Sequence, residues 1–255
     1  MTRGPTAVVS AMHEELRALL PLLQNPRQVT LGGRRFHLGD LHGRPVVLVL
    51  SGIGKVAAAA TAVLLIQAFD AAELLLTGVA GGLHAGVEVG DVVLARQLLQ
   101  HDMDASPLFP RYEVPLTGRA RFDADPVLGS AVERAAAACL GDAAALVGDA
   151  ELRAFGIGAP RLHCGLIVSG DRFVARAADS AELRSRLPDA LAVEMEGAAL
   201  AQVCADFGRP FAVLRTISDR ADDSAHVDFQ RFIAEVASRY SAAIVSAWLA
   251  ARERA

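Results

Sequence analysis

Short apolar runs recur along this chain, and each ends in polar or glycine-rich residues before a stretch of helical spacing begins. The runs cover residues 7–10, 45–50, 74–77, 90–98, 162–169, 190–193 and 211–217. They fall well short of the roughly 20 apolar residues that a membrane-spanning helix needs, and they have the length of buried strands. Helical spacing follows over 55–69, 126–140, 181–187, 198–207 and 227–251. Neither an internal repeat nor a linker interrupts the alternation, which predicts one α/β domain over residues 1–255. At 255 residues and 53% hydrophobic, the chain can bury a substantial core.

Several segments break the pattern. Turns at 31–34 and 41–44 separate short strands in a meander, and the glycines of 78–82 are expected to break the strand before them sharply. Residues 101–115 carry Pro107, Pro110 and Pro115 and show neither period, as expected of a functional or interface loop. The glycine- and alanine-rich stretch 141–160 reads as an insertion.

A net charge of −4 gives no broad basic surface, which speaks against nucleic acid and anionic lipid as partners. Lys55 is the single lysine; the arginine excess reads as composition bias. Cys139, Cys164 and Cys204 are odd in number and far apart, unlike a disulfide framework or a zinc site, and suit a reducing cytoplasm. The first residues run into a short strand and then acids, not a signal-peptide core. No metal or cofactor is expected.

Four strand ends deliver polar or glycine-rich residues: 12–15, 78–82, 193–196 and 215–219. In open α/β sheets ligands bind at such ends. Glu194 and Glu196 stand where a strand turns into a helix. Taken alone, the pair is explained better by the helix dipole than by catalysis. Asp219, at the end of a buried strand, is a candidate general acid if burial raises its pKa, though a lone acid there is more often a helix cap. The glycine patterns at 52–55 and 78–82 complete neither a phosphate loop nor a dinucleotide fingerprint.

Read together, these segments resemble the 5′-methylthioadenosine/S-adenosylhomocysteine nucleosidases of the purine nucleoside phosphorylase and uridine phosphorylase superfamily. The resemblance rests on Ala11-Met12-x-Glu14-Glu15, Ser51-Gly52-Ile53-Gly54-Lys55-Val56-Ala57-Ala58, Thr77-Gly78-Val79-Ala80-Gly81-Gly82-Leu83 and Val89-Gly90-Asp91-Val92-Val93. It continues through His101-Asp102-x-Asp104, Gly165-Leu166-Ile167-Val168-Ser169-Gly170-Asp171-x-Phe173, Val193-Glu194-Met195-Glu196 and Arg215-x-Ile217-Ser218-Asp219. These motifs span almost the whole chain, and jointly they are specific where each alone is weak.

The resemblance implies a three-layer α/β sandwich, a twisted mixed sheet flanked by helices, and hydrolysis of the N-glycosidic bond of a 5′-substituted purine nucleoside. Glu15 would activate water, Asp219 would protonate the departing purine and Glu196 would hold the ribose hydroxyls. Phe173 and Val174 would line the base pocket, Met12 and Met195 would pack on the sugar, and Arg215 would help to place Glu15 and the water. Ile53, Val79, Ala80, Gly81, Glu194, Ser218 and Phe229 complete the expected substrate contacts. Val79 stands where many members carry a hydroxyl residue, which leaves water binding there to backbone N–H groups. A homodimer is also implied, with the loop after His101, including Phe109 or Tyr112, near the neighbour's site.

The chemistry accounts for these residue types. Breaking the bond builds positive charge on the sugar and negative charge on the base, so it needs acids at opposite ends of the substrate with pKa values pushed apart. Two other readings stay open: a phosphorylase on the same fold, and a nucleoside-binding protein without catalysis. Futalosine or a hopanoid adenosine precursor remains an alternative substrate. A phosphorylase needs converging cations beneath the ribose, whereas the first strand delivers Glu15; Arg17, two residues on, points elsewhere on the helix.

Overall fold

Alternate side chains of the strands are buried on opposite faces of one sheet. Val8, Leu48, Leu75, Ala212 and Leu214 pack to one side, and Ala7, Val9, Val47, Val49, Leu74, Leu76 and Val213 to the other. A strand buried on both faces reads as a continuous apolar run rather than an alternating one. Each such Val or Leu contributes roughly 1.5–3 kcal/mol by leaving water, so helices must cover both faces.

The computed structural model describes residues 4–221 and 229–252. In chain order the elements are β1 (Thr6–Ser10), α1 (His13–Leu19), β2 (Gln24–Leu31), β3 (Arg34–Leu41), β4 (Arg44–Leu50), α2 (Lys55–Phe69), β5 (Glu73–Gly82) and β6 (Val92–Gln100). Then come β7 (Arg121–Asp123), α3 (Pro126–Leu140), α4 (Ala143–Val147), α5 (Asp149–Ala154), β8 (Leu162–Ser169), α6 (Ala177–Arg186), β9 (Ala190–Glu194), α7 (Gly197–Asp206) and β10 (Phe211–Asp219). The C-terminal segment is α8 (Phe229–Phe232), a π-helical turn over Ile233–Ala237, and α9 (Ser238–Ala250). The expected start of this helix at Val227 lies outside the described residues.

The mixed sheet runs β10-β6-β8-β9-β5-β1-β4-β3-β2, and β10 pairs with β5 as well, so β5, β10, β6, β8 and β9 close into a ring. Helices α1, α3, α4, α5 and α9 join the core on one face, and α2 and α7 that on the other. This is the three-layer α/β sandwich that the resemblance implies.

One expectation changes. The glycines of 78–82 do not break the chain: β5 continues through them, pairing with β10 from Leu74 to Gly81 and with β9 at Gly81 and Gly82. The stretch 141–160 forms α4 and α5, whose Ala143, Val147 and Leu152 join the same core as Trp248 and Tyr240 of α9. Tertiary burial, rather than sequence period, holds these short helices.

Candidate active site

β1 ends at Ser10 opposite both Thr77 of β5 and Leu50 of β4, so the segments that leave these strands start side by side. Glu15 is the third residue of α1. Its Oε2 accepts a hydrogen bond from the Met12 N–H at 3.3 Å, while Oε1, fully buried, has no partner among the described residues. Arg17 is exposed, two residues beyond a Glu15 that is 0% exposed, so the helix turns it away.

Arg215 of β10 is the centre of the charge network. It pairs in register with Gly78, and a Cβ on Gly78 would lie 1.9 Å from Arg215 Nη1 and 3.4 Å from Glu15 Oε1. Glycine is required there because the guanidinium occupies the space of a side chain. Nη2 donates to Glu194 Oε2 and, at 3.0 Å, to Glu196 Oε2; Nη1 donates to the Thr77 carbonyl at 3.3 Å.

The two acids at the end of β9 and just beyond it divide sharply. Glu194 spends both oxygens on the protein: Ser169 Oγ donates to Oε1, the Glu196 N–H donates to Oε2 at 3.1 Å, and the Gly197 N–H reaches both. Glu196 accepts from the Gly54 N–H at 2.8 Å, across 142 residues of sequence, and from Arg215. Glu194 therefore braces the segment that carries Glu196.

Burial sets the proton affinities. It raises the Glu15 carboxyl to about 7, with Arg215 opposing and Glu196 adding to the rise. Burial raises Glu196 too, again with Arg215 opposing, and Glu194 adds to it. Arg215 is completely buried, a cost to its charge that the surrounding Glu194, Glu196 and Glu15 outweigh. A carboxyl near 7 with one unpartnered oxygen is suited to take a proton from water.

Asp219 ends β10, in register with Gly81 of β5. Ser218 Oγ donates to its Oδ2 at 2.7 Å and the Ala221 N–H to its Oδ1 at 2.8 Å. A Cβ on Gly81 would press on Asp219 Oδ1 at 3.0 Å and on the Ala221 side chain at 2.8 Å. Gly78 and Gly81 are three strand steps apart, which spaces Glu15 and Asp219 by roughly 10 Å along β5.

The remaining expected contacts surround these acids unevenly. Met12, Val79 and Met195 are half-buried, and Ile53 is 59% exposed. Ala80, buried, offers its carbonyl to Ser218 Oγ at 3.4 Å. The exposed Phe173 ring meets Phe229 edge to face with centroids 6.2 Å apart. The Val174 side chain belongs to a small core cluster with Leu83, Leu99 and Val168, so its side chain faces the core. Among the described residues no three His, Cys, Asp or Glu side chains gather as a metal site.

Sequence reasoning assigned no role to Ser169, Asp102, Asp171 or Lys55, although all lie inside the quoted motifs. The signal was their position at a strand end or in the turn beyond one: Ser169 ends β8, Asp171 and Asp102 follow β8 and β6, and Lys55 opens α2 after β4. Ser169 pairs with Glu194 in register, and its Oγ also accepts from the Ala198 N–H at 2.8 Å.

The Phosphorylase superfamily family model matches residues 5–250. Among solved structures, the chain is similar to the 5′-methylthioadenosine/S-adenosylhomocysteine nucleosidase of Neisseria meningitidis in complex with methylthio-immucillin-A, at 38% identity and a TM-score of 0.84, covering 98% of this chain and 100% of that one. The Streptococcus pneumoniae nucleosidase with a transition-state inhibitor gives 34% identity and a TM-score of 0.82 over 97% and 99%. A futalosine hydrolase mutant of Helicobacter pylori gives 31% and 0.82 over 96% and 98%. With a match over nearly its full length, the chain belongs to the phosphorylase superfamily and, within it, to the 5′-methylthioadenosine/S-adenosylhomocysteine nucleosidase family.

Proposed function

We propose that this chain hydrolyses the N-glycosidic bond of 5′-methylthioadenosine and S-adenosylhomocysteine, releasing adenine and the 5′-thio-substituted ribose. Glu15 takes a proton from the attacking water, Glu196 holds the ribose hydroxyls, and Asp219 delivers a proton to purine N7 as the base departs. Arg215 opposes the protonation of Glu196, and Glu194, held by Ser169 and the Gly197 N–H, fixes the segment that carries it. Phe173 with Phe229, and the backbone at Val174, flank the base; Met12, Ile53 and Met195 flank the sugar; Val79, Ala80, Gly81 and Ser218 form the floor between.

The observation that carries this reading is Glu15: a buried carboxyl raised to about 7, with one oxygen unpartnered, beside a buried arginine whose charge is already engaged by Glu194 and Glu196. A phosphate dianion would meet three carboxylates and, among the described residues of the network, no unengaged cation, which favours water as the nucleophile. The deciding experiment is release of adenine or hypoxanthine from a panel of 5′-substituted nucleosides, with and without phosphate. Free methylthioribose at a rate independent of phosphate is expected; ribose 1-phosphate product, or dependence on phosphate, overturns the hydrolase. Futalosine belongs in the panel because of the similarity to the Helicobacter pylori hydrolase.

The working unit in this proposal is a cytoplasmic homodimer. α2 buries Ala58, Ala62 and Leu65 yet leaves Val56 at 80% exposed, with Val63 two turns on, and the loop after His101 exposes Leu108 and Leu116 at 84% and 90%. Leu108 and Leu116, rather than the half-buried Phe109 and Tyr112, are the side chains that loop offers to a neighbour. The unpaired thiols of Cys139, Cys164 and Cys204 favour a reducing compartment. No described helix is long and apolar enough to cross a membrane.

A further inference from the structure

Lys55 is the one lysine of the chain; every other member of its 25 Lys and Arg is arginine. It stands at the first position of α2, where a helix dipole disfavours a cation, and its side chain is only 16% exposed. Nζ donates to Asp102 Oδ1 at 2.6 Å and to Gln100 Oε1 at 3.1 Å. Asp102 Oδ2 accepts from the Asp171 N–H at 2.8 Å, and Asp171 Oδ1 accepts from the Lys55 N–H at 2.7 Å. These bonds close a ring through three segments that are 47 and 69 residues apart in sequence.

Each segment leads into the site. The first carries Ile53 and the Gly54 N–H that holds Glu196 at 2.8 Å. The second runs on from Asp102 into the loop with Leu108. The third continues from Asp171 into Phe173, whose ring is half exposed. A Cβ on Gly54 would lie 3.1 Å from Asp171 Oδ1, so the first and third segments are in direct contact. Holding loops in their bound arrangement before a ligand arrives lowers the ordering cost of binding.

We propose that Lys55 is a positioning residue for substrate binding: through Asp102 and Asp171 it fixes the Phe173 loop relative to the Gly54–Glu196 contact, and arginine does not replace it. A compact ammonium meets two convergent oxygens at one point. A planar guanidinium is longer and directs its donors in a fixed fork, which pushes Asp102, and with it the Asp171 N–H, out of place.

The proposal rests on the nucleosidase reading for its kinetic arm only. The full chain and its K55R and D102N variants are compared by hydrogen exchange of residues 170–176 without ligand, and by kcat and KM for 5′-methylthioadenosine. K55R is expected to raise KM roughly tenfold, the effect of losing one charge-assisted hydrogen bond, with kcat within about threefold of the parent and Tm unchanged. Exchange over 170–176 should quicken in both variants. Parental KM and exchange in K55R overturn the proposal, as does a loss of kcat that tracks a fall in Tm, the mark of a merely structural ion pair. If the parent hydrolyses no nucleoside the functional reading falls, and the exchange comparison still decides the role of Lys55.

Discussion

The two ends of the candidate site are built on different plans. At the ribose end Arg215, Glu15, Glu194 and Glu196 share one buried network, supplied by β10, α1 and the segment after β9, with Gly54 and Ser169 closing it. At the base end Ser218 Oγ and the Ala221 N–H, close neighbours in sequence, donate to Asp219. A network with shared partners responds as a unit, whereas a local turn responds alone. The chain thus places its long-range charge contacts where charge must be held without water, while Asp219, the proposed proton donor, takes these two hydrogen bonds from its own turn.

The largest effects should come from the two reacting acids. Glu15→Gln and Asp219→Asn are each expected to lose roughly 10²- to 10⁴-fold in turnover, with substrate binding largely kept in Asp219→Asn. If the ends are independent, the double variant loses about the product of the two, while Glu15→Gln combined with Glu196→Gln loses less than the product because both belong to one network. Steady-state rates of adenine release decide this, and a non-multiplicative Glu15–Asp219 pair would break the comparison. In the parent, kcat/KM should fall as pH drops below about 7, where Glu15 takes up its proton.

Next comes Arg215→Met. It leaves buried carboxylates without their cation, for which a loss of roughly 3–5 kcal/mol is expected. Urea denaturation at pH 8 measures it, and a loss under 1 kcal/mol would show that the network is wetter than its burial implies.

Smaller, and of opposite sign, is the effect of Glu15→Gln on stability. A carboxyl raised from its ordinary value to about 7 holds its proton more tightly folded than unfolded, so it weighs against folding above pH 7. That penalty shrinks as pH falls from 7 towards 4.5 and is absent below. The variant should therefore exceed the parent by about 3 kcal/mol at pH 8 and match it near pH 4. Equal stabilities at pH 8 would place the Glu15 pKa near its ordinary value.

Ser218→Ala should be the mildest: about 1 kcal/mol of stability and a few-fold in turnover, since the Ala221 N–H still holds Asp219. A loss as large as that of Asp219→Asn would show that the base end is no more local than the ribose end.

The sequence made the acids of both ends visible, because each terminates an apolar run. Which of Glu194 and Glu196 remains available to a ligand was not visible, since the choice is made by Gly54 and Ser169, far away in the chain. The continuation of β5 through 78–82 was hidden for a related reason. Glycine ordinarily marks a turn, but here it makes room for Arg215 and Asp219, which only the pairing with β10 reveals. Helices α4 and α5 carry little period of their own, and their existence depends on α9, almost a hundred residues later. The alternation of strands and helices, by contrast, is a local property and was readable throughout.

The ring formed by β5, β10, β6, β8 and β9 also bears on how an active molecule comes into being. Residues 73–82 wait for 211–219 before the ring closes, and such distant pairings are slow to form because loop entropy is lost before contacts reward it. Glu15 and Asp219 lie on opposite sides of that closure in the order of synthesis. A refolding chain can thus regain helix and most of its sheet while still inert, and the recovery of turnover, rather than of circular dichroism, times the last strand into place.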